Sequence, residues 1–319
     1  MPEGARHALV VGGAGFIGSH LCDALVGRGM TTWCVDDLSS GRERHVAHLL
    51  GHRDFRFLHV DVLQRDAATR LFRETVFDVV FHLAANSDIR AGSRDAFLDL
   101  RLNLLTTLEI LEAMRANGSR RLVFASTSAV FGETQALLHE ESGPLHPISF
   151  YGASKAAAEA YLSVYAHTFG ITTTIVRFPN VVGERSTHGV LFDFLRKLAA
   201  TPERLDVLGD GRQQKPYLYV SDLIQALSLV VDRQQSPFEV YHAAGEGSTS
   251  VREIAQIVVD LAGSPQTAIV FGSEDRGWPG DVPRFAYDTR KLAALGWRAR
   301  YASTEAVRHA VRRMIETDL

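Results

Sequence analysis

The apolar run Ala8-Leu9-Val10-Val11 stops at a cluster of glycines, Gly12-Gly13-Ala14-Gly15-Phe16-Ile17-Gly18, and apolar residues at helical spacing follow, Leu21, Leu25 and Val26. Strand, tight turn and helix in that order leave little choice of fold. The turn demands glycine's backbone freedom, and a period of two cannot be exchanged for a period of 3.6. The same rhythm returns along the first half of the chain. It predicts strands at Ala8 to Val11, Thr31 to Val35, Phe55 to Val60, Asp78 to His82, Arg121 to Ala125 and Thr172 to Arg177, several of them apolar runs suited to burial on both faces. Between them Phe97, Leu100, Leu104, Leu108 and Leu111 predict one long helix with a single apolar stripe, stopped by Gly118 after Asn117. An α/β chain with a doubly wound parallel sheet is expected.

After about residue 180 the alternation weakens and Gly/Pro-rich connections appear, such as Leu208-Gly209-Asp210-Gly211 and Trp278-Pro279-Gly280-Asp281. A smaller C-terminal α/β lobe is expected to begin there. The helix predicted at Asp222 to Val231 and the strand at Val240 to His242 can return to the sheet. The first domain is therefore expected at 1–179, rejoined by about 218–244, and the lobe at 180–217 and 245–319. A chain of 319 residues with 46% hydrophobic and 22% charged side chains can bury cores of this kind.

Composition also excludes several functions. The 34 Lys and Arg against 37 Asp and Glu, net −3, provide no basic field for nucleic acid. The two cysteines, Cys22 and Cys34, fall on an expected helix face and strand, which argues against a disulfide framework, and no metal site is expected. Apolar stretches end well short of the roughly 18 residues of a membrane span, and no leader cleavage site follows Val11. A cytoplasmic chain without a membrane partner is expected.

The glycine turn carries the first chemistry. Glycines let backbone N–H groups approach a pyrophosphate, whose charge is favoured at the N-terminus of the helix that follows. The second strand ends in Val35-Asp36-Asp37, placing an acid where it can accept hydrogen bonds from an adenosine ribose. The context reads as a Rossmann-type site for NAD, because a 2′-phosphate would meet the carboxylate's charge. Asp61-Val62 closes the third strand near the adenine edge, and Leu83-Ala84 puts small residues beside the cofactor.

Tyr151-Gly152-Ala153-Ser154-Lys155 places a phenol and an ammonium four residues apart, on one face of an expected helix. A nearby ammonium favours phenolate and so proton transfer near neutral pH. The fifth strand ends in the hydroxyl cluster Ser126-Thr127-Ser128, at the sheet edge where open α/β folds place ligands, and a hydroxyl there can hydrogen-bond a reacting oxygen of a ligand.

Glycine turn, strand-end acid, hydroxyl cluster and Tyr-x-x-x-Lys in this order resemble the extended short-chain dehydrogenase/reductase family. Within it the likeness is to the UDP-glucose/UDP-galactose 4-epimerases, from about residue 7 to about residue 310. Supporting stretches are Phe81 to Ala85, Ser126 to Gly132, Tyr151 to Lys155, Arg177 to Gly183 and Tyr217 to Asp222. The resemblance implies Tyr151 as base, Lys155 as its electrostatic partner, Thr127 as the assisting hydroxyl and Asn103 as a support on the preceding helix. Tightly bound NAD would meet Gly12, Gly15, Phe16, Ile17, Gly18, Asp36, Asp37, Leu38, Ser40, Asp61, Val62, Leu83, Ala84, Tyr151, Lys155 and Phe178. A UDP-sugar would meet Ser126, Thr127, Ser128, Asn180, Gly189, Val190, Lys215, Arg276 and Asp281. A homodimer formed by helices around 95–116 and 150–169 is also implied.

Two departures matter. Lys215-Pro216-Tyr217 stands where many relatives carry Arg-Asp, so diphosphate contact would be through one ammonium and not a guanidinium fork. Ser128-Ala129 stands where the family's 4,6-dehydratases carry Asp-Glu and its decarboxylases carry Glu in the second place. Without that acid, the implied activity is epimerisation at C4 through a transient 4-keto sugar. A sugar-nucleotide 4-reductase or dehydrogenase releasing reduced cofactor is the alternative, and a non-catalytic dinucleotide-sensing protein is the alternative of another class.

Overall fold

The computed structural model describes residues 6–133, 137–274 and 285–317. The chain divides into two units. Met1–Gly132, Gly143–Arg177 and Ile224–Tyr241 form the first, and Glu133–Ser142, Phe178–Leu223 and His242–Leu319 form the second.

The first unit is built around a seven-stranded sheet with strands β1 (His7–Val11), β2 (Thr31–Asp36), β3 (Phe55–His59), β4 (Val79–His82), β5 (Arg121–Thr127), β6 (Thr172–Phe178) and β7 (Phe238–His242). Their order is β7-β6-β5-β4-β1-β2-β3, and β1 pairs in parallel with both β2 and β4. All six strands expected in the first half are present, within two residues of the predicted ends. Central position explains the apolar runs. Leu9 sits in register between Trp33 and Val80, and all three are buried in one core with Phe72, Phe77, Leu111, Met114, Phe124 and Leu162. Each such side chain contributes about 1.5–3 kcal/mol by leaving water. The chain winds outward from β1 in both directions, which opens a crevice beyond the carboxyl ends of β1 and β4.

The helix α1 (Phe16–Gly27) follows β1 and buries Leu21, Cys22, Leu25 and Val26. Cys22 and Cys34 are both buried free thiols, and a side chain at Gly13 would reach to 2.5 Å of the Cys34 sulfur. They fill space beneath the glycine turn.

One sequence expectation is corrected. The long helix is present as one continuous run from Ala96 to Asn117, preceded by α2 (Ala67–Glu74) before β4 and α3 (Ile89–Arg94) after it, but its single apolar stripe is not: α4 (Ala96–Asp99) passes into α5 (Thr106–Asn117) through Leu100–Leu105, wound as a π turn. The wider turn shifts the residues before it around the axis. Leu111 is buried and Leu104 and Leu108 pack on the core, but Phe97 is 64% exposed and Leu100 38%. Asn103 and Thr107 turn inward instead, both fully buried. Gly118 does end α5, at a φ of +88° that glycine adopts without strain.

The second unit combines short strand pairs with helices. Asn180–Val182 runs parallel to Tyr217–Tyr219 and Arg204–Val207 parallel to Ala268–Phe271, while Gln214–Lys215 runs antiparallel to Thr249–Ser250. Ser250 and Glu253 close a capping box at the start of the helix Val251–Ala262. The buried Asp222 carboxylate accepts the backbone N–H groups of Arg300 and Tyr301 at 3.0 and 3.3 Å, which pins the segment before the last helix, Ser303–Thr317. Among the described residues no helix is long and apolar enough to cross a membrane.

Candidate active site

The turn between β1 and α1 is held from behind. Gly12 and Gly13 donate to the Val35 carbonyl at 2.8 and 3.2 Å, and Gly12 has a φ of +82°. A Cβ on Gly12 would fall 2.6 Å from the Ala84 nitrogen, and one on Gly18 would fall 2.1 Å from the Gly12 carbonyl oxygen. Backbone approach this close is open only to glycine. Gly15 caps α1 without any side-chain hydrogen bond, so the first N–H groups of Phe16 and Ile17 keep their capacity for an anion.

Asp36 ends β2 and is 6% exposed. Its carboxylate accepts from Ala14 N and from Leu38 N, each at 2.9 Å, and so fastens the glycine turn to the loop after β2. Burial pushes the carboxyl up, and the two backbone donors oppose that. Leu38 has a φ of +58°. Asp37 turns to Ser39, accepting its N–H at 2.9 Å and its hydroxyl at 2.6 Å, and Ser40 is exposed. Asp61 accepts from Leu63 N at 2.9 Å, and Val62 enters the core. Leu83 and Ala84 both donate to the Val11 carbonyl, which holds the loop after β4 against Gly12. Bare backbone at the turn, an uncapped helix start and a strand-end acid on one crevice fit a dinucleotide.

The proton-transfer residues stand on α6 (Phe150–Phe169), which Ser149 opens by accepting from Gly152 N. Tyr151 and Lys155 lie one turn apart, and Thr127 at the end of β5 is hydrogen-bonded to the Tyr151 phenol. Burial pushes Tyr151 up to about 12, and the Thr127 bond pulls it back. Lys155 is 2% exposed. Its Nζ donates to the Ala125 carbonyl at 2.9 Å and lies 4.4 Å from the centre of the Phe124 ring. Burial brings the ammonium down to about 7, and Glu159 and Asp99 oppose that. Of the hydroxyl cluster, Thr127 also accepts from Ala129 N at 3.1 Å, Ser128 begins the short helical turn that follows, and Ser126 donates to Glu159 at 2.5 Å.

Behind the pair, the π turn places Asn103 where its amide donates to Ser154 Oγ at 2.9 Å and to Asp99 Oδ1 at 3.1 Å, while its carbonyl oxygen accepts from Asn86 N at 2.8 Å. The buried Glu159 accepts from Arg177 Nε at 3.0 Å and Nη2 at 2.6 Å. Sequence reading passed over Asp99, Glu159 and Arg177 as site residues. Two signals were present: an acid one turn beyond Lys155 in an alanine-rich helix, and an arginine closing an otherwise buried strand.

Phe178 and the expected substrate residues Asn180, Gly189, Val190 and Lys215 belong to the second unit. Asn180 opens a strand in register with Tyr217, two residues beyond Lys215, and Gly189, at a φ of +100°, precedes the helix Val190–Ala200. Arg276 and Asp281 lie outside the described residues.

Comparison with known proteins gives a consistent outcome. A family model described as the NAD dependent epimerase/dehydratase family matches residues 8–252. The UDP-glucose 4-epimerase of Mycolicibacterium smegmatis is 31% identical over 315 residues, covering 95% of this chain and 96% of its own. A UDP-N-acetyl-alpha-D-glucosaminuronate decarboxylase of Bacillus cytotoxicus is 30% identical over 302 residues, 91% of each chain. Among solved structures, the UDP-glucose 4-epimerase of Thermus thermophilus in complex with NAD superposes with a TM-score of 0.86 at 33% identity, covering 98% of this chain and all of that one.

Proposed function

Because the chain belongs to the NAD dependent epimerase/dehydratase family, we propose that it interconverts C4 epimers of a UDP-sugar. The observation that carries this reading is the Thr127–Tyr151–Lys155 group at the carboxyl end of β5, with Ala129 and no acid beside Thr127. NAD, which Gly12, Gly15, Gly18 and Asp36 would hold, supplies a reversible hydride acceptor when bound. Tyr151 takes the proton of the sugar 4-hydroxyl as that carbon is oxidised, with Thr127 hydrogen-bonding the phenol and Lys155 favouring its ionised form. The sugar then turns about its diphosphate linkage, so that a hydride given back by the cofactor would reach the opposite face of C4, and Tyr151 returns the proton to the 4-oxygen. Turning requires the nucleotide to be held while the hexose is free, and Asn180 and Lys215 are the candidates for that grip.

Relatives with decarboxylase activity make the fate of the oxidised sugar the point to test. Incubation with UDP-glucose, UDP-galactose and their N-acetylated and uronic acid counterparts, followed by chromatography, should yield C4 epimers with no lasting rise in reduced nicotinamide absorbance. Accumulation of reduced nicotinamide would establish a dehydrogenase instead, and release of carbon dioxide a decarboxylase.

The same reading includes a homodimer. Phe97 on α4, Leu100 and Leu105 on the π turn, and Phe150, Tyr161, Val164 and Phe169 on α6 are 38–64% exposed, apolar side chains that a second copy would cover. Tyr161→Glu and Val164→Glu together should convert a dimer to monomers in sedimentation. A wild-type chain that sediments as a monomer at all concentrations would remove the dimer.

A further inference from the structure

Lys155 poses a problem for the chemistry just proposed. An ammonium that stabilises a phenolate must carry its charge at the pH where the phenolate forms, yet this one donates to a backbone carbonyl and lies over an aromatic ring, and burial drives it toward the neutral amine. The charged and titratable groups that act on it are Glu159 on α6, His82 on β4 and Asp99 on α4, and Tyr151 stands one turn before it on α6. His82 is fully buried and held neutral, so it adds no repelling charge and offers no negative one. Asp99 is raised by its own burial, the Asn86 and Asn103 amides that converge on one of its oxygens oppose that, and its charge acts on Lys155 in the same direction as that of Glu159.

Glu159 differs from both. Arg177 grips its two oxygens as a fork at 3.0 and 2.6 Å, Ser126 donates to one of them at 2.5 Å, and Glu159 and Arg177 are only 6% exposed at their side chains. The three bonds join α6 to the last residues of β5 and β6, next to Thr127. A buried ion pair is an expensive way to hold three elements together, because well-packed apolar residues of the same volume do it at least as well. Its position one helical turn beyond Lys155 gives the charge a use that packing would not.

We infer that Glu159, clamped by Arg177 and Ser126, is a positioning residue for the proton-transfer pair, whose buried negative charge keeps Lys155 an ammonium. The inference rests on the reading of Tyr151 and Lys155 as that pair. The composition makes it directly measurable, since the chain has four lysines, Lys155, Lys197, Lys215 and Lys291. Labelling the lysine ε-carbons with ¹³C gives few resonances, and the one lost in Lys155→Met is assigned to Lys155. In Glu159→Gln its titration midpoint should fall by about one pH unit, and in Glu159→Asp it should stay close to the wild-type value. Glu159→Gln strands a buried guanidinium and can fail to fold, so Glu159→Gln/Arg177→Met is measured beside it; Glu159 is on the helix of Lys155 and Arg177 lies beyond it, so the midpoint should fall here too, by less than in the single variant because a repelling charge leaves with the attracting one. A midpoint unchanged in the double variant, or in a folded Glu159→Gln, overturns the inference. With substrate present, the alkaline limb of the turnover profile should shift down with the midpoint, because the ammonium is lost at lower pH. The resonance is read without substrate, so a chain that fails to epimerise UDP-sugars would defeat the proposed function and leave this test intact.

Discussion

Tyr151→Phe is expected to lower turnover between about 10² and 10⁴-fold, the range a positioned general acid/base contributes, while the purified protein keeps its dinucleotide. The substitution removes one oxygen and leaves the ring in place. Thr127 loses a partner but still accepts from Ala129 N, so the β5 end should hold its shape and the change in stability should stay near 1 kcal/mol. Two readouts separate chemistry from damage: epimer formation by chromatography, and NAD released on denaturation. A fall in both would mean a disturbed fold, and unchanged turnover would take Tyr151 out of the mechanism. Lys155→Met offers a weaker version of the same test, because it also deletes the donor to the Ala125 carbonyl.

The second large effect is expected at Gly12→Ala. Two independent penalties meet there. A φ of +82° is strained for alanine, and the new Cβ would fall 2.6 Å from the Ala84 nitrogen and 2.8 Å from its Cα. Strain of this kind and overpacking each cost about 1–3 kcal/mol. Neither neighbour can yield cheaply, because Ala84 N is bonded to the Val11 carbonyl and Gly12 N to the Val35 carbonyl. The turn must therefore move as a piece, which separates the bare backbone of the turn from the α1 N-terminus. Loss of even 3 kcal/mol in binding is about a hundredfold in affinity, so the variant should be purified free of dinucleotide and melt at lower temperature. Gly27→Ala is the control, since nothing lies within 4 Å of its Cβ position. Stoichiometric NAD in Gly12→Ala would show that the turn is not the pyrophosphate cradle.

Both effects concern residues that were legible in the sequence, and for one physical reason: their chemistry is local. The turn is written in glycines because only glycine accepts the backbone angles, and Tyr151 and Lys155 share a helix face because four residues nearly complete a turn. The apolar runs that became β1, β2, β4 and β5 were equally plain, since a strand buried on both faces needs no polar alternation. The doubly wound sheet follows from those periods and the right-handed crossover.

What needed the tertiary structure depends on contacts between distant segments. Periodicity assumes 3.6 residues per turn, so it could not anticipate a π turn at Leu100–Leu105 that exposes Phe97 and buries Asn103. Nor could it foresee that Asp36 would fasten the glycine turn through Ala14 N, that Ser126 would face Glu159 while its neighbour Thr127 meets Tyr151, or that Arg177 would close a buried ion pair with Glu159 across 18 residues of chain. A carboxylate's partner is chosen by whichever donor the folded backbone brings within 3 Å, and sequence spacing carries that information only inside a single helix, strand or turn.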